Sequence, residues 1–351
     1  MQFEINLNFF VIFSLISFAT AFFISKYSKF FFSGSLLDED FLKPQAFHKE
    51  ATARIGGVII FSLYTLFTVF YFFKFKIFLE EYFFIALLLF FLGFLDDLKI
   101  KIKPNIRLLL MLTILLACIN IFEIQLSRSG LTFLDSWLEN NIIQTFFVLL
   151  CFLFIINGSN LIDGFNGLLA IHFLIISSIF LIINLVNQNL TMSTILLSQI
   201  IIVLSFLLFN FPKAKIFLGD SGSYLLGSLL VLNSIKTFEA NSELSPFFFA
   251  CILFYLFFEV FFSFIRKSLK KKSPLKPDNF HLHMLLYKFL KNIKKFKDSN
   301  FMTSLIINFI YLLLIMPTIY FQKNGLILKY YFFLLILFYM YVYYMLKKII
   351  K

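Results

Sequence analysis

Apolar runs of about 20 residues recur from one end of the chain to the other, separated by short polar stretches. The runs lie at 5–25, 55–73, 82–95, 107–122, 142–157, 164–184, 193–211, 221–237, 247–265, 302–321 and 327–346. Such a pattern predicts an all-α polytopic membrane protein of about 11 transmembrane helices, since a bilayer leaves backbone groups no partner outside a helix or a closed barrel. It reads as a single integral membrane domain over 1–351. The first run, Leu7 to Ser25, lacks a basic start and a small-residue cleavage site, so it reads as a retained span and not a signal peptide.

Charge then orients the pattern. With the N-terminus outside, 25 of the 31 Lys and Arg residues fall in inner loops or the C-terminal tail. The formal net charge of +12 is therefore mostly a topological signal with attraction to anionic membrane lipid, and no nucleic-acid partner is needed to explain it. Cys118, Cys151 and Cys251 lie in apolar runs without paired spacing, which excludes a disulfide framework and a zinc site. The same orientation places Asp96, Asp97, Asp163, Asp220 and Asp278 at inner span ends or in inner loops, so the candidate chemistry sits on the cytoplasmic face.

The centre of that chemistry is the stretch Asn157 to Leu168, which holds three Asn, three Gly and one Asp within eleven residues of a chain that is 60% hydrophobic. On a continuous helix, Asn157, Asn160, Asp163, Gly164 and Gly167 would share an arc of about 120°. A carboxylate among amides at membrane depth is costly unless it lines a wet cavity or meets a cation. Helix packing through small residues and Asn is the plainer alternative.

Four other stretches accompany it. His48 and Arg54 flank Gly56-Gly57, where a helix start could receive an anion. Asp96-Asp97 with Lys99 closes the third run; adjacent carboxylates need a divalent cation or Lys99 to neutralise them. Gly219-Asp220-Ser221-Gly222-Ser223 opens a helix and offers amides, hydroxyls and one carboxylate to a Mg-phosphate group, or serves simply as a cap. Glu259 lies about two turns before Arg266. Finally, His281 and His283, half of the four His in the chain, could hold a phosphate.

In this order and on one face, these stretches resemble the polyprenyl-phosphate N-acetylhexosamine-1-phosphate transferases. The similarity runs over about 45–290 and is carried by Asp96-Asp97, by Asn157-x-x-Asn160-x-x-Asp163-Gly164-x-x-Gly167-Leu168 and by Gly219-Asp220-x-Gly222-Ser223. The resemblance implies Asp220 as a principal Mg2+ ligand, with Mn2+ as an alternative ion. It implies Asp96 and Asp97 as the carboxylates handling the acceptor phosphate and metal, and Asp163 as a further essential acid. Asn210, Phe217, Gly164 and Phe165 match positions lining the family's uridine pocket, where Asn166 stands in place of a second Asp. His281 and His283 match the His-x-His-His loop that meets donor phosphates or sugar; Met284 replaces its third His and Asn279 its usual Arg. Glu259 stands where relatives have Asp.

The implied reaction joins a UDP-N-acetylhexosamine donor to undecaprenyl phosphate at a bacterial cytoplasmic membrane, releasing UMP and starting a lipid-linked cell-envelope glycan such as O-antigen. A homodimer is a compatible assembly. The alternatives are a transporter or lipid flippase, which would need polar positions at the midplane and outer half, and a phospho-MurNAc-pentapeptide transferase, which the His-x-His loop disfavours.

Overall fold

The computed structural model describes residues 7–28, 30, 34–38, 51–100, 102–274, 276, 278–293 and 298–350. Each predicted apolar run forms helix. In chain order these are α1 (Leu7–Lys26), α2 (Gly56–Phe75), α3 (Glu80–Asp97), α4 (Pro104–Ile121), α6 (Asn141–Ile162), α7 (Leu168–Val186), α8 (Leu190–Asn210) and α9 (Gly219–Ala240). The run at 247–265 is broken into α10 (Pro246–Ile252) and α11 (Phe254–Leu269), bent by 71°. Two helices at the end are α13 (Ser299–Tyr320) and α14 (Gly325–Ile350).

Eight of these helices are individually long and apolar enough to cross a membrane, and the bent pair makes a ninth. The two others differ for a reason that bears on function. Helix α3 carries Glu80 and Glu81 at one end and Asp96 and Asp97 at the other. Helix α9 has a mixed polar and apolar sequence and is almost wholly enclosed. They pack on each other more extensively than any other pair, with α6 on the other side of α9. Helix α9 is thus the innermost one, and α1, α4 and α14 are among the helices that leave most of their apolar surface open.

Helix direction alternates through this core. At one end Lys236 of α9 pairs with Glu81 of α3 at 3.0 Å. At the other, the end of α3 meets the start of α9 and the end of α6.

Four features depart from the sequence reading. The fold is not purely helical: β1 (Leu37–Asp38), β2 (Thr52–Arg54) and β3 (Ile216–Phe217) form a small sheet, antiparallel between β1 and β2 and parallel between β2 and β3, with Arg54 opposite Phe217. Strands of two or three residues have no legible alternation. Two short helices, α5 (Thr132–Leu138) and α12 (Leu282–Ile293), occupy stretches read as loops. Helix α12 buries Leu282, Leu285, Leu286 and Leu290 on one face. Lastly, the Asn-rich stretch is not one continuous helix. Helix α6 runs to Ile162, five residues beyond the predicted end, Asp163 caps it, and a turn leads through Gly167 at φ 74° into α7.

Candidate active site

The site is made of helix ends. Gly93 lets α3 approach α9 so closely that a Cβ there would stand 2.5 Å from the Asp220 carbonyl. That approach brings the last residue of α3 to the first turn of α9. The buried Asp97 carboxylate accepts from the Asp220 amide at 2.9 Å through Oδ1, and from the Ser221 amide and hydroxyl at 2.9 and 2.6 Å through Oδ2. It acts as the cap of α9 supplied from another helix, satisfying amides that would otherwise lack partners. Gly219, at φ 80°, is obligatory here, because its Cβ would lie 2.6 Å from Asp97 Oδ2.

Two expectations change accordingly. The Asp220 and Ser221 amides of the Gly219–Ser223 turn are not free for a phosphate; Asp97 holds them. Nor is the Gly56-Gly57 pair an anion site. The Gly57 amide donates to the Leu218 carbonyl at 2.8 Å, and both glycines press against 217–222.

The adjacent carboxylates therefore diverge. Asp97 is enclosed, whereas Asp96 remains partly open and pairs with the Arg107 guanidinium at the start of α4. Arg107 also reaches Asp220 Oδ2 at 3.3 Å, so one cation lies between two carboxylates. Lys99, expected to neutralise the pair, is exposed on the turn after α3 at φ 60°; Arg107 and Arg54 supply the countercharge. Arg107 was counted from sequence only as an inner-side positive charge. A signal was available: it is the sole charged residue inside α4, and such residues are paired.

Arg54 is delivered by the small sheet. Its Nη2 and Nε donate to Asp38 Oδ2 at 2.6 and 3.0 Å, and its Nη1 lies 4.0 Å from Asp97. Burial disfavours the Arg54 cation, yet Asp220, Asp38 and Asp97 more than offset this and hold its pKa above the ordinary arginine value. His48 lies outside the described residues.

From α6, Asn160 donates to Asp220 Oδ1 and to Ser223 Oγ, each at 3.0 Å, which fixes the Asp220 carboxylate. Asn157 turns back to its own helix, donating to the Leu153 carbonyl at 2.7 Å. Asp163, partly exposed, makes no side-chain hydrogen bond among the described residues. Beside it Gly164 has nothing within 4 Å of where a Cβ would be, so the turn opens onto free space.

The positions matched to a uridine pocket lie around this turn, and several are already engaged. Asn210 is buried, accepting from the Gly167 amide at 2.6 Å and donating to the Ile216 carbonyl at 2.9 Å. Asn166 donates to the Pro212 carbonyl at 3.0 Å, and its amide is held by Asn300 of α13, which sequence reasoning did not single out. Phe217 stands half-buried in β3. Phe165 is buried, with its ring 5.7 Å from His283 and 5.3 Å from Tyr287.

His281 and His283 sit on the far side of Phe165, and both are buried. Glu259 accepts from His281 Nδ1 at 3.1 Å and from the Leu282 amide at 3.1 Å, while His281 Nε2 lies 3.3 Å from Asp278. Arg266 grips Asp278 through two nitrogens at 2.7 and 3.1 Å. Burial opposes ionisation of Asp278, but the Arg266 hydrogen bonds and His281 hold its carboxyl below the usual range. Burial likewise pushes the His283 ring below the ordinary histidine value, against the pull of Glu259.

Among the described residues, no group of three or more His, Cys, Asp or Glu is placed to hold a metal ion. What converges is two partly exposed carboxylates, Asp96 and Asp220, on one cation, with Asp163 nearby; among the described residues two arginines face these acids, Asp97 and Asp38. That arrangement can take up a further cation or a cation-bearing anion.

The family model described as Glycosyl transferase family 4 matches residues 80–238, the stretch from α3 through α9 that holds Asp96, Asp97, Asn160, Asp163 and Asp220. The chain is 31% identical over 250 residues to the undecaprenyl-phosphate alpha-N-acetylglucosaminyl 1-phosphate transferase of Thermotoga maritima, covering 71% of this chain and 72% of that protein. It is 29% identical over 205 residues to the probable undecaprenyl-phosphate N-acetylglucosaminyl 1-phosphate transferase of Bacillus subtilis, covering 58% and 57%. It is also 32% identical over 224 residues to the phospho-N-acetylmuramoyl-pentapeptide-transferase of Streptococcus gordonii, covering 61% and 68%. With its carboxylates gathered inside the matched region, and with a relative of this similarity aligned over most of both lengths, the chain belongs to glycosyl transferase family 4.

Proposed function

We propose that this protein transfers an N-acetylhexosamine 1-phosphate, GlcNAc-1-phosphate or a related sugar, from a UDP-sugar to undecaprenyl phosphate. The site would face the cytoplasm in a bacterial inner membrane, with eleven crossings and the N-terminus outside. The observation that carries the reading is the convergence of Asp96, Asp220 and Asp163 at one end of the α3–α6–α9 core, where charge is left for a ligand to balance. The names of the relatives at 31% and 29% identity support the choice of donor and acceptor.

In the reaction an acceptor phosphate oxygen attacks the β-phosphorus of the donor. The bond from that phosphorus to the oxygen bridging the α-phosphate breaks, and UMP leaves with the bond's electron pair. Both reactants are anions, so their repulsion must be cancelled first. Arg107 and Arg54 supply fixed positive charge at the mouth of the site. Asp96, whose carboxylate is open where that of Asp97 is occupied, orients the acceptor phosphate or takes its proton, and Asp163 lies at hand for the same work. Asp97 acts through Asp220, by fixing the first turn of α9. Direct in-line attack is favoured.

The residues suit Mg2+, or Mn2+ in its place. The donors available are hard carboxylate oxygens on Asp220 and Asp96, partly exposed and already holding a shared cation. Mg2+ takes one or two protein carboxylates and completes its shell with phosphate and water, so no larger cluster is needed. When bound, it would supply charge neutralisation at the diphosphate.

The acceptor's chain needs an apolar bed. A cavity of about 450 Å3 lies between α6, α9, α10 and α11, lined by Leu150, Phe154, Phe247, Leu253 and Phe257 among others. The experiment is to incubate the purified protein in nanodiscs with undecaprenyl phosphate, Mg2+ and a panel of UDP-sugars, and to follow UMP and the lipid product. Release of UMP that depends on the lipid supports the reading; a protein inert toward every UDP-sugar refutes it.

A further inference from the structure

The two histidines of the His281–His283 turn do not have equivalent surroundings. His281 is fixed on both ring nitrogens, 3.1 Å from Glu259 Oε2 and 3.3 Å from Asp278 Oδ1. A carboxylate oxygen thus stands against each ring nitrogen. His281 therefore has no nitrogen left for a ligand. His283 lies parallel to it, with ring centroids 5.6 Å apart and 7° between planes. Its Nδ1 faces the Tyr255 hydroxyl at 3.3 Å and Glu259 Oε1 at 3.7 Å, but its Nε2 is buried and has no partner among the described residues. An orphaned ring nitrogen in a buried site is costly, so a ligand that meets it relieves that cost.

Glu259 is the common point. It is itself buried, and it receives the Leu282 amide as well as His281, so one side chain of α11 grips both the backbone and the ring of the turn. Ser263 and Arg266 continue the same face of α11; Arg266 donates to Ser263 Oγ at 3.2 Å and clasps Asp278.

The geometry points to Glu259 as a positioning residue for donor binding: it and Asp278 lock His281 as a structural rung so that His283 alone presents a free ring nitrogen to the donor diphosphate or sugar. The inference rests on the proposed reading that this turn meets the donor.

Two measurements on the full chain in micelles test it. One is limited trypsin digestion at Lys270–Lys272 and Lys276, which reports release of the turn without any substrate. The other is the split between donor KM and kcat. Glu259→Gln should be cut there on the order of tenfold faster, because cleavage follows the population of opened turn. Its donor KM should rise by on the order of tenfold while kcat stays within about threefold. Glu259→Asp should restore slow cleavage. Asp278→Asn, a change at a more exposed position, should move both readouts the same way if Glu259→Gln fails to accumulate. His283→Ala should raise donor KM with cleavage unchanged. Wild-type cleavage and KM in both Glu259→Gln and Asp278→Asn would overturn the assignment. So would a fall in kcat at unchanged KM with the turn intact, which would put Glu259 in the chemistry. If the wild-type protein releases no UMP from any UDP-sugar, the proposed function fails, and unchanged cleavage in Glu259→Gln would sink the positioning role separately.

Discussion

The carboxylate cluster and the histidine turn are both polar islands in an apolar protein, but they are balanced in opposite ways. Around the turn, Arg266, Asp278, His281 and Glu259 form a chain of polar contacts, and each finds its neighbour within the protein. In the cluster, Asp96 and Asp220 share one guanidinium, Asp163 makes no side-chain hydrogen bond among the described residues, and Asp97 alone of the four is enclosed. In the first island the charged groups are paired and the His283 Nε2 is left over; in the second, the described residues set fewer cations than acids. A deficit at a rigid junction of helix ends is maintained against cost, and the residues that maintain it are those a ligand completes.

The sharpest way to break this contrast is Asp220→Asn. If Asp220 serves the open side of the cluster, turnover should fall on the order of 10²–10³-fold, as for loss of a preorganised electrostatic group. The protein should remain folded in the membrane, and raising Mg2+ should not restore the rate. Near-normal UMP release from that variant would remove Asp220 from the reacting centre.

Next, Asp96 and Asp97 should part company despite being neighbours. Asp96→Asn should lower kcat by roughly 10²-fold or more, with donor binding by calorimetry largely preserved and thermal stability unchanged. Asp97→Asn should lose about 1–3 kcal/mol of stability, since one carboxylate oxygen becomes an amide facing the amides it used to accept from. Equal loss of stability in both variants would dissolve the distinction between the open and the closed acid.

A third test addresses the side of the membrane. Single cysteines at 272 and 132, introduced after replacing the three native ones, should be labelled from the cytoplasmic and outer sides respectively. Labelling of both from one side would move the cluster away from cytoplasmic nucleotides.

The smallest effect belongs to the histidine turn. Asp278 has a lowered pKa, so the Arg266–Asp278 pair contributes stability that is fully present above the ordinary carboxylate value. It is lost as pH falls through the lowered one. Asp278 is partly solvated, so the contribution is at most about 1 kcal/mol. Melting temperatures between pH 7 and pH 3 should show Asp278→Asn losing this increment, and an identical pH slope in the variant would show the pair to be idle.

Much of this architecture was legible in the sequence because membrane helices announce themselves by length and apolarity. All eleven apolar runs are helical, and the carboxylates of three distant runs do meet. What was hidden depends on contacts. Asp97 looks identical to Asp96 until α9 is placed against Gly93. Arg107 looks like another inner-side positive charge until Asp96 and Asp220 flank it. Asn300, 134 residues from Asn166, gave no local sign of its role. The β2–β3 pairing joins segments too short to show a period, yet it sets Arg54 in place.

The Asp97 cap of α9 has a consequence for how the protein is made. The carboxylate and the amides it receives lie 123 residues apart, and α6, which holds Asp220 from the other side, is 60 residues upstream of it. A ribosome releases the chain in order, so Asp97 must wait without the amides it receives while five further helices, α4 to α8, are synthesised. Only the arrival of Gly219–Ser223 discharges that wait. The junction therefore cannot close until the start of α9 has been made, so the arrangement of acids that the chemistry requires is assembled only after α3 to α8 are in hand.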